Sequence, residues 1–387
     1  MAQKVLVLIS EPPLPATSGP KVRNAALWQE FKDLNLDIKI FSIIQANSEP
    51  PTRVFTDYEV QYFKKDNHPL LIRLWRYLNF SHHQYLSSKT MTKAVEDCLN
   101  DWKPDIIHAE ELKMASFLPS NTKQCKTTLT VHNVESELIK QTGTLTVPFF
   151  QSLINIWHAI RLKSYERKSI QNSNLTFAYS KIDEARLKKL YPQANITDTS
   201  NGAKVKKIEP TKPKNSKGVL FVGSLHYVPN FEGIMWFIEK SLPHISKDIS
   251  LSVAGAGAPE KIKTFLREKN ITFYDTPESL EDLYHENAIA IVPVLKGSGT
   301  RTKIFEALAY QRLVVSTSLG AEGIPISQED GLILCDDPVS FAQQINYWCD
   351  PFKEKEYDHI STNARKAALE FDWSEVANKL LTEWRSL

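Results

Sequence analysis

The distribution of glycine most strongly limits the folds open to this 387-residue chain. Only two of its 13 glycines, Gly19 and Gly143, precede residue 200. Several of the others directly follow short apolar runs, and each of these runs is followed in turn by a helical pattern. Buried strands that alternate with helices predict βα units and a parallel sheet. The runs are VLFVGS (219–224), LSVAGAG (251–257), IAIVPVLKGSG (289–299) and LVVSTSLGAEG (313–323).

The first half of the chain repeats this alternation with less glycine. Its predicted strands are 4–9, 37–43, 105–109, 127–132 and 175–179, and its predicted helices are 20–34, 90–101, 149–171 and 181–190. The predicted helices of the second half are 230–240, 259–268, 278–285, 302–311 and 338–348. In doubly wound sheets of this kind, ligands bind at the carboxyl ends of the strands.

A segment rich in lysine and proline, SNGAKVKKIEPTKPKNSKG (200–218), separates the two halves. The last residues form an amphipathic helix, with apolar side chains at three- and four-residue spacing. The predicted fold is α/β, with two Rossmann-like doubly wound domains facing each other across a cleft. The predicted parts are a first domain at 1–203, a linker at 204–217, a second domain at 218–370 and a C-terminal helix at 371–387.

Charge and cysteine content argue against several classes of protein. Lysine and arginine number 47 against 45 acidic residues, a net charge of +2 that does not favour binding of nucleic acid. The four cysteines are widely separated and lack zinc-type spacing, so we expect neither a disulfide framework nor a metal site. No stretch supplies the roughly 20 predominantly apolar residues of a spanning helix. We therefore expect a cytoplasmic protein.

The segment GSGTRTKIFEALAYQRLVVST (297–317) resembles the donor-binding signature of a large family of GT-B-fold glycosyltransferases. This is the retaining family that uses nucleotide sugars, glycosyltransferase family 4 or group 1. The resemblance implies a donor site in the second domain, an acceptor site in the first, and a last helix that crosses back to the first domain. It also implies a nucleotide diphosphate sugar as co-substrate, with a UDP-sugar favoured, and no tightly bound cofactor. Further matching segments are FVGSLHYVPNFEGIMWF (221–237), VAGAG (253–257), HNVES (132–136) and SNG (200–202).

Two positions depart from the pattern of that family. Its core motif has two glutamates eight positions apart. The second is Glu306, which the resemblance assigns to the ribose hydroxyls of the nucleotide, but the first position is Ser298. Many members also carry an arginine and a lysine shortly after the strand that corresponds to 219–224. Here the loop at 225–230 has neither cation.

A leaving diphosphate can be stabilised without a metal by cations, backbone amides and a helix N-terminus. The 297–303 segment offers all three, because Gly297 and Gly299 permit close backbone approach and the predicted helix begins near Thr302. Arg301 suits a bidentate phosphate contact and Lys303 suits a point charge. A plain loop with solvated cations is the alternative that the loop alone leaves open.

Further donor-binding residues are predicted around this segment. Ser298 and Thr300 lie within it, and Gly223 and Ser224 follow a buried strand, where a tight turn would explain them equally well. Gly19, in the loop 11–24, is placed by the resemblance near the donor phosphates and the acceptor. A helix N-cap and turn is the alternative for that loop.

His132 is the candidate catalytic residue of the first half. It ends the predicted strand TTLTVH, and topology places a residue there at the ligand-binding edge of the sheet. The resemblance implies that it forms hydrogen bonds with the transferred sugar or the acceptor. His108 and Glu110 end the preceding strand and are weaker candidates, and Arg23 is a candidate for an anion contact.

The leading hypothesis is a metal-independent, retaining hexosyltransferase that acts on a glycan or glycolipid acceptor in the assembly of a surface polysaccharide. No carboxylate is assigned as a nucleophile, because retention in this family is explained by same-face attack assisted by the leaving diphosphate. The catalytic residues implied are His132, Arg301 and Lys303. A catalytically lost binding or scaffold protein and a nucleotide-sugar epimerase on the same fold are the alternatives.

Two stretches combine aromatic and basic residues, PFFQSLINIWHAIRLKSYERK (148–168) and LLIRLWRYLNF (70–80). Either could dock on a membrane surface and meet a lipid-linked acceptor. The favoured alternative is an ordinary helix that packs its apolar stripe on the core and extends its cations to water. A peripheral contact at the inner face of the cell membrane is thus left open.

Overall fold

The computed structural model describes residues 2–14, 19–51, 57–72, 86–119, 124–136, 149–297 and 301–387. The chain divides into two compact units. Unit 1 contains Met1–Ser200 and Val376–Leu387, and unit 2 contains Asn201–Glu375. Each unit contains a parallel sheet whose strands alternate with helices, so the predicted α/β class with two Rossmann-like units is confirmed.

Unit 1 is built on a parallel sheet with the strand order β3-β2-β1-β4-β5-β6-β7. The strands are β1 (Gln3–Ile9), β2 (Leu36–Ile44), β3 (Glu59–Lys64), β4 (Ile106–Glu110), β5 (Lys126–Val131), β6 (Leu175–Ala178) and β7 (Ile196–Asp198). The described helices are α1 (Gly19–Glu30), α2 (Lys89–Asp101), α3 (Phe149–Asn172) and α4 (Lys181–Leu190). The central strands β1, β4 and β5 are buried along most of their length because helices cover both faces of a parallel sheet.

Unit 2 has a parallel sheet with the order β10-β9-β8-β11-β12-β13. The strands are β8 (Asn215–Val222), β9 (Ser250–Gly255), β10 (Thr272–Asp275), β11 (Asn287–Val292), β12 (Leu313–Ser316) and β13 (Leu332–Leu334). The helices are α5 (Val228–Trp236), α6 (Glu260–Glu268), α7 (Glu281–Glu286), α8 (Thr302–Ala309), α9 (Pro338–Trp348), α10 (Glu354–Leu369) and α11 (Trp373–Arg385). The last of these begins in unit 2 and ends in unit 1.

Side-chain caps fix several helix starts at the residues that the sequence indicates. Asp337 accepts a hydrogen bond from the Ser340 amide at 2.8 Å, and Pro338 takes the first helical position of α9. Ser180 accepts a hydrogen bond from the Asp183 amide at 3.1 Å at the start of α4. Caps of this kind satisfy amide groups that have no partner within the helix.

Five of the described strands and α-helices were not predicted from the sequence. Four of them, β3, β7, β10 and β13, are the edge strands of the two sheets, and the fifth is helix α10. β3 and β10 contain no buried side chain, and β7 and β13 are only three residues long, so none of the four has a long buried apolar run. In β10, three of the four side chains are exposed.

Candidate functional site

In unit 2, the adjacent strands β8 and β11 end at the same edge of the sheet, and each is followed by a loop that contains glycine. Gly223 and Ser224 lie in the first loop, and Gly297 lies in the second. Gly297 has a φ of 97°, which favours glycine. A Cβ atom at Gly297 would lie 3.3 Å from the Tyr227 hydroxyl and 3.7 Å from the Arg301 guanidinium. The two loops are therefore packed together, with Arg301 beside them.

Lys303 extends from the first turn of α8 to the loop after β8. Its ammonium group donates a hydrogen bond to Asn230 Oδ1 at 3.0 Å and lies 5.1 Å from the centre of the Phe221 ring. A Cβ atom at Gly223 would lie only 2.8 Å from the same ammonium group. Desolvation, together with the neighbouring charge of Arg301, lowers the pKa of Lys303 to about 7. The terminal amino group of Lys303 is thus held at a glycine loop, where it can pair with an anion once it is protonated.

Glu306 lies one turn further along α8. The Tyr284 hydroxyl donates a hydrogen bond to its Oε2 atom at 3.3 Å, and the Tyr284 ring stacks on Tyr310 with ring centres 4.7 Å apart. Desolvation raises the pKa of the Glu306 carboxyl. A carboxylate can accept about four hydrogen bonds, so Glu306 retains capacity for the hydroxyl groups of a ligand.

Three of the predicted donor-binding residues, Ser298, Gly299 and Thr300, lie outside the described residues. Gly19 is the first residue of α1 in unit 1. The structure therefore brings together Gly223, Ser224, Gly297, Arg301 and Lys303 in unit 2, with Glu306 on the same helix as the last two.

In unit 1, three adjacent strands end in polar side chains. Glu110 is the last residue of β4, and His132 and Tyr179 directly follow β5 and β6. The Tyr179 hydroxyl lies 3.0 Å from Glu110 Oε1 and 2.5 Å from His132 Nε2. The His132 and Tyr179 rings stack with their centres 4.3 Å apart. Parallel register thus joins three side chains that are far apart in sequence.

Glu110 is the centre of this cluster. Arg23 donates from Nε to Glu110 Oε1 at 3.3 Å, and His108 Nε2 lies 2.9 Å from Oε2. Arg23, His108 and Glu110 are all almost completely buried. Burial opposes ionisation of Glu110, but the charge of Arg23, the hydrogen bond with His108 and the nearby His132 hold its pKa well below the ordinary value. The cluster therefore contains a buried carboxylate paired with a buried guanidinium.

The backbone is strained directly beside this carboxylate. Glu111 has a φ of 95°, a conformation that costs a residue other than glycine about 1–3 kcal/mol. The Ser10 hydroxyl, which follows β1, donates to the Glu111 carboxylate at 3.0 Å. Strain of this kind concentrates at functional sites, where the surrounding structure holds it in place.

The chain after His132 is tied to α3 by a second buried carboxylate, Glu166. It accepts hydrogen bonds from the Glu135 amide at 2.9 Å, the Ser136 hydroxyl at 2.6 Å and the Tyr191 hydroxyl at 2.8 Å. Desolvation raises the pKa of Glu166. This residue fixes the path of the segment that leaves His132.

Sequence reasoning missed part of these clusters. Tyr179 follows a buried strand as His132 does, so the same positional rule could have found it. Glu166 stands four residues from Leu162 and from Ile170, both buried, which places a carboxylate on the buried stripe of α3. Asn230 and Tyr284 carry no such signal, because they become partners only through packing.

The described residues contain no group of three or more histidine, cysteine or acidic side chains that could hold a metal ion. None of their helices combines the length and the apolar character needed to cross a membrane.

Comparisons with known proteins agree with this description. Residues 216–350 match the family model described as glycosyl transferases group 1. A protein from Klebsiella pneumoniae, described as an uncharacterized 44.6 kDa protein in the cps region, is 29% identical over 282 residues. The match covers 68% of this chain and 70% of that relative.

Solved structures resemble the chain over its whole length. A sucrose-phosphate synthase from Thermosynechococcus elongatus is 13% identical and covers 99% of each chain with a TM-score of 0.71. Anabaena HepE, solved in complex with UDP, is 14% identical and covers 100% of each chain with a TM-score of 0.70. The predicted GT-B fold is confirmed by these structures, and the resemblance to group 1 glycosyltransferases is confirmed by the family model.

Proposed function

We propose that this chain, whose residues 216–350 match the family model of group 1 glycosyl transferases, moves a sugar from a nucleotide diphosphate donor to a glycan or lipid-linked acceptor. The transfer retains the anomeric configuration. It needs no metal, because Arg301, Lys303 and the N-terminus of α8 supply the positive charge that stabilises the leaving diphosphate. A UDP-sugar is the proposed donor, supported by the solved Anabaena protein in complex with UDP.

The observation that carries this proposal is the position of Lys303. Its ammonium group reaches the loop after β8, at Gly223 and Asn230. The loop residues 225–230 include no lysine or arginine of their own. A phosphate bound over this loop would meet a charge from α8, in place of the arginine and lysine that many related enzymes carry after the strand. This arrangement favours an enzyme over a scaffold that has lost its diphosphate site.

The remaining roles follow from the same arrangement. Glu306, oriented by the Tyr284 hydroxyl, accepts hydrogen bonds from the ribose of the nucleotide. Ser224 and the amides around Gly297 contact the phosphates. His132, in unit 1, forms a hydrogen bond with the transferred sugar or the acceptor. Gly19 is the first residue of the helix that contains Arg23.

Calorimetric titration of UDP, GDP, ADP and TDP into the full chain, without added metal, tests the donor site. We expect one of them to bind selectively, and Glu306→Ala to weaken that binding at least about tenfold, the effect of losing a charged hydrogen bond. Glu268→Ala removes an exposed carboxylate of α6 and serves as the matched control. Unchanged affinity in Glu306→Ala would refute the ribose assignment.

Turnover separates the enzyme from the scaffold. The donor in this assay is a sugar linked to the nucleoside diphosphate that binds in the titration. Sugar transfer or slow donor hydrolysis should be detectable in the wild-type chain and lost in Arg301→Ala. Nucleotide binding without any turnover would favour the scaffold.

The proposed lipid-linked acceptor is supported by the exposed side of α3. Ile156, Trp157 and Ile160 are 45%, 47% and 60% exposed, so these three apolar side chains are not buried in the core of unit 1. Arg161 lies 4.8 Å from the centre of the Trp157 ring. Exposed basic residues follow at Lys163, Arg167 and Lys168. Apolar side chains beside a group of cations match an anionic bilayer surface. Most of the other candidate stretch, 70–80, lies outside the described residues.

Sedimentation with vesicles tests this contact. We expect the chain to bind vesicles that contain phosphatidylglycerol and not vesicles of phosphatidylcholine alone. Combined Ile156→Ser and Ile160→Ser should abolish that binding. Phe352→Ser, which removes a 96% exposed side chain of unit 2, should leave it unchanged. Equal binding by both variants would refute a role for α3.

A further inference from the structure

The hydroxyl of Tyr179 lies between two groups that compete for its single hydrogen. It is 3.0 Å from Glu110 Oε1 and 2.5 Å from His132 Nε2. Burial raises the pKa of Tyr179 well above its ordinary value, so the hydroxyl keeps its hydrogen. Although burial opposes it, Arg23 and the two nearby histidines keep Glu110 ionised, and an ionised carboxylate can only accept. The hydrogen of Tyr179 is therefore directed at Glu110.

With its hydrogen directed at Glu110, the oxygen of Tyr179 becomes an acceptor toward His132. Two acceptors at 2.5 Å without a hydrogen between them would repel each other, so Nε2 of His132 must carry a proton. A neutral imidazole protonated at Nε2 has a lone pair at Nδ1. That nitrogen has no hydrogen-bond partner among the described residues, and the His132 side chain is 16% exposed.

We infer that Tyr179 and Glu110 are positioning residues that hold His132 in its Nε2–H tautomer and so present the Nδ1 lone pair to a hydroxyl group of the bound sugar or acceptor. The identity of that hydroxyl rests on the proposed function, whereas the tautomer follows from the geometry of unit 1 alone. An acceptor at this position selects a ligand that offers a hydroxyl donor. It discriminates against an analogue in which fluorine or hydrogen replaces that hydroxyl, because the lone pair would then be left unpaired.

The surroundings restrict the cluster to this arrangement. The His132 ring stacks on Tyr179 with an interplanar angle of 23°. On the same tyrosine, the Arg23 guanidinium lies 4.2 Å from the ring centre while its Nε atom donates to Glu110. His108 donates from Nε2 to the other oxygen of that carboxylate. Because these side chains fix one another, neither Tyr179 nor Glu110 can exchange its donor and acceptor roles without displacing several neighbours.

Nitrogen NMR of the full chain, labelled with ¹⁵N-histidine, tests the tautomer directly. Long-range proton–nitrogen correlations distinguish the two neutral tautomers, and His132→Gln identifies the signal among the ten histidines. At a pH of about 8, where an ordinary imidazole is neutral, we expect His132 to be a single Nε2–H tautomer. In Tyr179→Phe, which keeps the ring but removes the hydroxyl, a mixture of tautomers should appear. An Nδ1–H tautomer in the wild type, or an unchanged signal in Tyr179→Phe, would overturn the inference.

Kinetics test the role of this tautomer in transfer. Tyr179→Phe should lower kcat about tenfold, the loss expected for one oriented hydrogen bond, with the donor KM changed less than about twofold.

Tyr357→Phe is the control, because it removes an equally buried hydroxyl that donates to the Ala288 carbonyl in unit 2. It should leave both the His132 signal and kcat unchanged. If no donor is turned over by the wild type, the proposed transfer fails, while the spectra still decide the tautomer. Unchanged kcat in a variant whose tautomer has changed would refute the catalytic part.

Discussion

Lys303 carries its charge in surroundings that disfavour a charge. Desolvation and the neighbouring Arg301 lower the pKa of its ammonium group to about 7, and the attraction of Glu306 offsets only part of this. In the free protein the side chain is therefore partly neutral at neutral pH and increasingly neutral above it. A diphosphate bound beside it would favour the charged form, so binding at higher pH must take up a proton.

We expect the affinity for the nucleoside diphosphate to fall as the pH rises from about 7.5 to about 9, by at most about tenfold per pH unit. The sign follows because the neutral form of Lys303 has to be protonated before it can pair with phosphate. This range lies above the second phosphate ionisation, near pH 6, which would otherwise act in the opposite direction. Calorimetry in buffers of different ionisation enthalpy measures both the affinity and the proton uptake.

Two variants assign this pH dependence to one side chain. Lys303→Gln is neutral throughout the range, so its affinity should be lower and independent of pH. Lys296→Gln changes an exposed lysine of unit 2 that is paired with Glu232, and it should keep the wild-type slope. A wild-type slope in Lys303→Gln would assign the titration to another group.

At the scale of elements, two glycines of unit 2 differ in what lies against them. A Cβ atom at Gly233, on α5, would lie 2.2 Å from the carbonyl oxygen of Pro293, which is backbone and cannot move cheaply. A Cβ atom at Gly223, after β8, would instead meet the flexible ends of Asn230 and Lys303 at 2.8 Å. The first glycine allows a helix to pack closely on the chain after β11, and the second leaves room at the proposed phosphate site.

The same substitution at the two glycines should therefore have different effects. Gly233→Ala should lower the free energy of unfolding by about 1–3 kcal/mol, the range for overpacking a core. Gly223→Ala should change that free energy by less than about 0.5 kcal/mol but weaken nucleotide binding, because it displaces Lys303. Urea unfolding followed by circular dichroism, together with calorimetric titration, measures both quantities. Equal destabilisation by the two variants would contradict this distinction.

How far the elements could be predicted depends on how deeply each is buried. The central strands β1, β4, β8 and β11 each contain a run of buried side chains, and their expected positions differ from the observed ones by a few residues. The edge strand β3, EVQYFK, alternates exposed and partly buried side chains and has no such run. Its place is determined by pairing with β2, which is a long-range contact that local sequence does not encode.

The same limit applies to the candidate site. The sequence pointed to Gly223, Gly297 and Lys303 because glycine and cations recur next to buried strands and helix starts. It ranked Glu110 below His132, since nothing local shows that Arg23 is buried against that carboxylate. The side chains at the ends of β4, β5 and β6 form a cluster because these strands are neighbours in the sheet. The strand order depends on contacts across the whole sheet, so the local sequence does not predict the cluster.

At the scale of the molecule, the two units share the end of the chain. Residues Val376–Leu387 belong to unit 1, although the chain reaches them from unit 2. Trp384 is 1% exposed and stacks on Trp28 and Phe31, with ring centres 6.3 Å and 5.3 Å apart. The core of unit 1 therefore includes side chains of α11, so the stability of this unit depends on that helix.

This dependence predicts that the two units respond differently to the loss of a core tryptophan. Trp384→Ala should destabilise unit 1 by about 3–5 kcal/mol, the usual cost of removing a buried tryptophan. Hydrogen exchange measured by mass spectrometry on the full chain should then show lost protection in β1 and β4, while β8 and β11 keep theirs. Trp348→Ala, at a residue that is 5% exposed in the core of unit 2, should give the opposite pattern. Equal loss of protection in both sheets for either variant would mean that the two units unfold as one cooperative body, and the C-terminal helix would then stabilise the whole chain rather than unit 1 alone.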